Sequence, residues 1–555
     1  MATVTLTIDG KLVTVEQGIN LIEAARTLGI EIPHYCYHPG LPVVGQCRMC
    51  QVEVEKSPKL SVACSTPASP GMVVHTNSPQ VVKARKAVLE FYLLNHPLDC
   101  PICDKGGECP LQDYTVTYGP GESRYREEKV KRVKALPIGP TVIFDAERCI
   151  LCTRCVRFVQ DIVKSGELGV FHRGDKAEIG LFPGKELDNL YSLNVVDLCP
   201  VGALTSRDYR FRARPWDLFR QVESLCPGCS FGCNIILDVR HWDEGEQIVR
   251  IRPRVNMEVN TYWMCDIGRF TFHPLYEKER LDGPWIRKDR ACVPTSWEEA
   301  IALLASSLGR LIADHGPGSV GAVVSARLTN EELYLLQKFF RRLPTEHLDH
   351  RVREVQGEGR DFQEDHLLLR ADRTPNTKGA RDMGVLPGSG GLDTMGMIEA
   401  ARSGRLKALF VFGEDLATEL PQALNVQEAL SKLDLLVVQA MSLTEMASLA
   451  HFILPALAFA EQDGTYTNWK GRLQRLNKAV DPPGKILSIG ELLEKVAAHL
   501  GPSFPFLSLE EIWQEIAGSC PGYEGITWEA IPPQGIQLPV EMATMEARHQ
   551  TPAAS

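Results

Sequence analysis

Cys149-Ile150-Leu151-Cys152-Thr153-Arg154-Cys155 sets three thiols at Cys-x2-Cys-x2-Cys spacing. Cysteines this crowded have almost no purely structural use, and the run is the ligand pattern of a cubane [4Fe-4S] cluster. In the compact bacterial ferredoxin run a further cysteine stands four positions beyond the third and ligates a second cluster. Here that position is Val159, and no second triple run exists. Cys199, followed by Pro200, is therefore the simplest fourth ligand. The sequence around the run, from the charged stretch 122–134 to about Ser206, reads as a mixed α and β domain.

Three further groups flank this one, and together the four take fifteen of the seventeen cysteines. Upstream lies His96-x3-Cys100-x2-Cys103-x5-Cys109. Three thiolates leave a cubane one ligand short. A histidine at a helix end is ordinarily a last-turn cation favoured by the helix dipole; the missing ligand is what promotes His96. Gly106 and Gly107 let the backbone pass close to inorganic sulfide. Nearer the N-terminus, Cys36-x10-Cys47-x2-Cys50-x13-Cys64 fits a [2Fe-2S] cluster, with a longer first gap than the plant-type spacing. A zinc ribbon would favour two Cys-x2-Cys pairs, and only one occurs. Downstream, Cys226-x2-Cys229-x3-Cys233 with Cys265 suits a cubane, although four cysteines at these spacings also suit structural zinc. Cys292 and Cys520 stand alone and read as small buried hydrophobes.

With 555 residues the chain is too long for one domain. Its net charge of −10 excludes a nucleic-acid binder, which needs a basic stripe. No run approaches the roughly 18 apolar residues of a membrane span, and the strand-like N-terminus predicts no signal peptide. Seventeen cysteines without an export signal point to metal rather than to disulfides. Alternation over 3–9 and 11–16 about Asp9-Gly10 predicts a hairpin. Asn20 then caps a helix ended by Gly29, and strands follow near 51–55, 60–63 and 72–75, the order of a β-grasp ferredoxin. A helix over 79–95 carries Val82, Val88, Leu89, Tyr92 and Leu93 on its apolar side and is stopped by Pro97. The segment 207–220 is a connector rich in arginine and aromatics. From 269 onward helices alternate with apolar strands (320–325, 408–413, 435–439), the pattern of a doubly wound α/β domain. The tail 550–555 is expected to be disordered. The single Gly-x-Gly-x-x-Gly match, at Gly316, Gly318 and Gly321, sits between a helix and a strand, the reverse of a dinucleotide fingerprint. No P-loop occurs, so the chain offers no site for NAD, flavin or nucleotide.

The order of the four groups resembles the large iron–sulfur subunit (G type) of respiratory complex I, the NADH:quinone oxidoreductase. The likeness runs through Asn95 to Asp113 and Arg148 to Val159. Similar N-terminal halves occur in NAD-linked formate dehydrogenases and iron hydrogenases, so an electron-relay subunit of such a soluble complex is the alternative. The C-terminal part resembles a molybdopterin oxidoreductase through Thr329-Asn330-Glu331-Glu332, Pro375 to Ala380, and Pro455 to Gln474 with Glu461, Gly464, Thr465, Asn468, Gly471 and Arg472. Between about His347 and Ala371 the sequence jumps, leaving no room for pterin-holding units.

The resemblance implies a multidomain α+β and α/β fold: a β-grasp [2Fe-2S] domain (1–78), a His/Cys3 [4Fe-4S] domain (79–120), a ferredoxin-like [4Fe-4S] domain with connector (121–220), a molybdopterin-oxidoreductase-type [4Fe-4S] domain (221–277) and a truncated molybdopterin-oxidoreductase-like domain (278–555). It implies one [2Fe-2S] and three [4Fe-4S] clusters, no molybdopterin and no catalytic site in this chain. As partners it implies a flavin-containing NADH dehydrogenase subunit, a ferredoxin-like subunit and other peripheral-arm subunits, with contact to the membrane only through them. The expected location is the cytoplasmic side of the inner (plasma) membrane.

Overall fold

The N-terminal alternation folds as a hairpin: Val4, Leu6, Ile8, Val13 and Val15 turn inward while their neighbours face solvent. Asp9 and Gly10 both have positive φ, the requirement of a type I′ turn. The Asn20 side chain accepts from the backbone of Ile22 and Glu23 and caps the helix Leu21–Arg26. The strand Val73–His75 pairs parallel to Thr3–Ile8, and Gln51–Val54 and Ser61–Val62 extend the five-stranded sheet. The architecture is a computed structural model, described here for residues 2–243, 245–289, 291–355, 364–501 and 504–539. The expected gap at 347–371 lies partly, and the tail 550–555 wholly, outside the described residues.

The chain divides into two compact units, Met1–Phe219 and Arg220–Ser555. In the first, the helix Pro79–Asn95 has the predicted bounds but a different inner face. Val81, Arg85 and Leu89 are buried, whereas Val82 is exposed. The reason is Arg85, whose guanidinium donates to Asn77 Oδ1 (3.3 Å) and to the Gln51 carbonyl (3.2 Å) beneath the Tyr118 ring. With Nη1 and Nη2 bonded, the arginine buries its stem like an apolar side chain. The later part of this unit combines a three-stranded sheet (Leu136–Pro137, Val142–Phe144, Leu204–Ser206), the hairpin Leu168–Phe171/Glu178–Leu181 and short helices at Arg154–Arg157 and Asn194–Leu198.

Past the division, a three-stranded sheet is formed by Leu218–Leu225, whose first two residues precede the division, Asn234–Trp242 and Gly245–Pro253. The main sheet of the second unit has seven strands, of which Val320–Ser325, His347–Arg351, Ala408–Phe412, Leu435–Ala440 and Phe452–Pro455 run parallel. These strands are apolar on both faces because both are covered. Ala408, Phe410 and Phe412 join the core with the helices Trp297–His315, Asn330–Arg342 and Ile489–Leu500. Leu409 and Val411 join the opposite core with Thr394–Arg402 and Val426–Leu430. The predicted doubly wound sheet is thus present, and Gly316 lies in a helix-to-strand loop. Cys520 is buried as expected, but Cys292 is only partly so, because it lies on the edge strand Ala291–Pro294.

Candidate metal centres

Cys36, Cys47, Cys50 and Cys64 come together from a long loop and two strand ends, all buried. The Ala63 N–H donates to the Cys50 carbonyl at 3.0 Å, bringing the distant fourth cysteine to the Cys-x2-Cys pair. Hydrogen bonds from the Cys47 and Cys64 thiols hold the Cys36 thiol well below its ordinary range and push its two partners up. The Tyr35 N–H points at Cys47 Sγ from 3.5 Å.

His96 caps the C-terminal end of its helix and lines one cavity with Cys100, Cys103 and Cys109. Burial, with Lys129 and Arg148 nearby, lowers the imidazole to about 4, so it is neutral and able to ligate. Burial raises Cys103, and Cys109 to about 11. A Cβ added at Gly202 would lie 2.1 Å from Cys103 Sγ, so the loop after Cys199 passes this centre too closely for any side chain.

Cys149, Cys152, Cys155 and Cys199 line another cavity, walled by Phe144, Ile150, Ile179, Val201 and Leu204. Leu151 and Thr153 both adopt positive φ, a conformation that costs energy in residues with a side chain and winds the ligand loop tightly. Cys199 follows directly on the helix Asn194–Leu198. Burial drives the Cys149, Cys152 and Cys155 thiols upward. Two arginines of the ligand run tie this loop to the first centre. Arg157 Nη2 donates to the Cys36 carbonyl (2.6 Å) and the Cys152 carbonyl (3.3 Å), and its Nη1 to the Pro42 carbonyl (2.5 Å). Arg154 donates to the carbonyls of Tyr37 and Leu198. Gln46, beside Cys47, reaches the Leu151 carbonyl.

In the second unit Cys226, Cys229, Cys233 and Cys265 line a cavity with Gly228, Met264 and Arg373. The Cys226 N–H donates to the Cys233 carbonyl (2.9 Å), and the Gly268 N–H points at Cys265 Sγ (3.4 Å). Burial raises all four thiols, Cys226 to about 12. Here too a Cβ at Gly268 would crowd Cys226 Sγ, at 2.8 Å.

Thiols that burial keeps protonated would release those protons to a bound metal, which replaces the lost hydration with positive charge. Among the described residues no group of three His, Cys, Asp or Glu side chains is gathered tightly enough for a single ion. Three of the sets surround a cavity instead, and backbone N–H groups face their sulfurs. This donor chemistry fits clusters in which sulfide and iron share the space, with N–H groups tuning potential. The fold brings the sixteen residues singled out in the sequence together in four sets of four. Sequence reading missed the roles of Arg148, Arg157, Arg154, Gln46 and Gly202. The available signal was positive charge placed within and beside a ligand run.

A five-stranded sheet carrying a buried four-cysteine set, further cysteine-rich loops and a doubly wound sheet in a mixed α/β chain define an iron–sulfur protein of the oxidoreductase class. Residues 1–79 match the 2Fe-2S iron-sulfur cluster binding domain, 85–124 the NADH-ubiquinone oxidoreductase-G iron-sulfur binding region, and 139–205 the NADH-quinone oxidoreductase subunit 3 ferredoxin-like domain. Residues 219–277 match the molybdopterin oxidoreductase Fe4S4 domain, and 280–368 with 350–496 match molybdopterin oxidoreductase. The NADH-quinone oxidoreductase G subunit numbered 2 of Rhizobium meliloti is 30% identical over 722 aligned positions, covering 96% of this chain and 83% of that one. The chain belongs to the family of NADH-quinone oxidoreductase G subunits. That alignment is longer than the chain itself, so it runs past stretches that this chain lacks.

The NADH-quinone oxidoreductase G subunit of Rickettsia bellii is 43% identical over 338 residues, 61% of this chain and 48% of that one. The mitochondrial NADH-ubiquinone oxidoreductase 78 kDa subunit of Neurospora crassa is 46% identical over 349 residues, 62% and 46%. The chain thus spans about half the length of these relatives. Among solved structures, a chain of an NAD+-reducing [NiFe]-hydrogenase is 29% identical over 38% of this chain and 91% of its own, with a TM-score of 0.35.

Proposed function

We propose that the chain is the iron–sulfur relay subunit of an NADH-quinone oxidoreductase, passing electrons from a flavin-containing NADH dehydrogenase subunit to a ferredoxin-like subunit on the way to quinone. The observation that carries the reading is the grouping of His96 with Cys100, Cys103 and Cys109 around one cavity, alongside three four-thiol sets in the same chain. We assign a [2Fe-2S] cluster to Cys36, Cys47, Cys50 and Cys64. The [4Fe-4S] clusters are assigned to His96 with Cys100, Cys103 and Cys109; to Cys149, Cys152, Cys155 and Cys199; and to Cys226, Cys229, Cys233 and Cys265. When bound, these groups supply one-electron carriers and no bond chemistry. The protein's own part is positional: Arg154, Arg157 and Gln46 fix the first ligand loop on the third.

The boundaries 1–78, 79–120, 121–220, 221–277 and 278–555 are supported by the extents of the family matches and by the division after Phe219. The C-terminal domain serves as scaffold without molybdopterin. Doubly wound sheets take ligands outside the carboxyl ends of their strands. Just beyond Ala408–Phe412, the carboxylates of Glu414 and Glu419 are tied to Arg353, an arrangement that disfavours an anionic cofactor. The chain meets the membrane only through partner subunits, on the cytoplasmic side. No helix among the described residues is long and apolar enough to cross a membrane.

The test is anaerobic reconstitution of the full chain. It should hold about 14 iron atoms, from one two-iron and three four-iron clusters, and no molybdenum, and it should not oxidise NADH without its flavin partner. About 10 iron atoms with one zinc would move the fourth set to structural zinc, and NADH oxidation by the flavin-free chain would refute the relay.

A further inference from the structure

Arg148 immediately precedes Cys149, yet its side chain lines the neighbouring cavity of His96, Cys100, Cys103 and Cys109. The side chain is 3% exposed. Nε and Nη2 donate to Asp99 Oδ2 at 3.1 and 3.0 Å, and Nε also lies 3.4 Å from Asp145 Oδ2. Nη1 is buried with no hydrogen-bond partner. The nearby carboxylates are already engaged: Asp99 Oδ2 also takes Lys134 Nζ at 2.6 Å, and Asp145 Oδ1 takes the backbone N–H groups of Glu147 and Arg148. Buried guanidinium donors are expensive to leave unmade, and the cavity that Arg148 lines is the place where an acceptor for Nη1 can be supplied. Gly202 removes the obstacle between the two sides, since its Cβ position is 2.1 Å from Cys103 Sγ and 3.7 Å from Arg148 Cδ.

We propose that Arg148 tunes the cluster held by His96, Cys100, Cys103 and Cys109: its free Nη1 donates to a sulfur of that cluster and its fixed charge raises the reduction potential there. The inference rests on the cluster reading above. One-electron reduction adds one negative charge to the centre, and a hydrogen-bond donor with positive charge favours that more negative form. Asp99 and Asp145 aim the guanidinium. Being next to Cys149, Arg148 links the two centres through a single residue.

The test is an EPR-monitored redox titration of the full-length reconstituted chain and its Arg148→Met, Arg148→Lys and Arg148→Gln variants. In Arg148→Met, at a fixed poise, the reduced-to-oxidised ratio of this one cluster should fall about tenfold, which is 59 mV for a one-electron couple. The other three clusters should be unmoved. An exchangeable-proton coupling seen by ENDOR on this cluster should disappear. Should Arg148→Met not assemble the cluster, the other two decide, since Lys keeps charge without the fork and Gln keeps a donor without charge. An intact cluster with unchanged potential and unchanged proton coupling in both overturns the proposal. Absence of any His96-dependent cluster in the unmodified chain overturns the cluster reading as well.

Discussion

In the proposed ligand set a neutral imidazole among three thiolates would give the second centre one negative charge fewer than a four-thiolate cubane, and this decides how variants of His96 should behave. His96→Ala should remove or open that cluster alone, leaving three of four low-temperature EPR signals; four unaltered signals would reduce His96 to a helix-end residue. His96→Cys should keep a cluster at a lower potential, with each 59 mV worth a factor of ten in equilibrium. Gly202 makes a harder demand. In Gly202→Ala the new methyl would sit at 2.1 Å from Cys103 Sγ, so iron content should fall by about four atoms while the fold persists; full iron content in a soluble variant would refute the close approach. The cysteine groups were legible because the members of each lie mostly side by side in the sequence. Arg148 and Gly202 were not, because their meaning depends on residues tens of positions away, which only the folded backbone brings near.

Elements were read best where one interaction dominates. Asp9-Gly10 forced a turn, Asn20 forced a cap, and the helix Pro79–Asn95 has its predicted ends because a proline stands at each. Its inner face was misread because hydropathy counts Arg85 as polar, whereas Asn77, Gln51 and Tyr118 make it a core residue. The same blindness hid the role of the short helix Arg154–Arg157. Arg157 is 9% exposed and holds three carbonyls, two of them in the first ligand loop. Arg157→Met leaves the buried Cys36 and Cys152 carbonyls without that donor and should cost about 2–4 kcal/mol in denaturant unfolding. Because one guanidinium serves both loops, the EPR signals of the Cys36 and Cys149 centres should both change while that of the His96 centre stays. A change confined to one of them would mean that the arginine merely fills space.

At the scale of the whole molecule the two units respond to pH in opposite directions. In the first, partial burial pushes the Asp99 and Glu147 carboxyls upward, but Lys134, with Arg148 adding to Asp99, outweighs it and holds both below the usual carboxylate range. Stability from such groups is present above their ordinary values of 3.8 and 4.5 and is lost only as pH falls below them. In the second unit burial raises Glu331 from 4.5 to about 6 and also raises Glu332 and Glu419. Glu331 accepts from Trp513 Nε1 (2.7 Å), Thr465 Oγ1 (2.9 Å) and the Thr465 N–H (2.9 Å), which temper the rise without cancelling the desolvation. A raised carboxyl binds its proton more tightly when folded, so its contribution is complete below 4.5 and disappears as pH rises through about 6. The difference of 6 − 4.5 = 1.5 corresponds to about 2 kcal/mol from Glu331. Calorimetry of the full chain between pH 5 and 7.5 should therefore show Glu331 pulling the second unit's transition down by a few degrees as pH rises, whereas the first unit's climbs, because burial lowers the His34 and His38 imidazoles and the unfolded chain takes up those protons first. Glu331→Gln, which cannot ionise, assigns the effect by removing that pull. The lowered His347, His350 and His451 act in the opposite sense, so the variant decides: a slope that Glu331→Gln leaves unchanged would show that this carboxyl is paired more completely than its surroundings indicate.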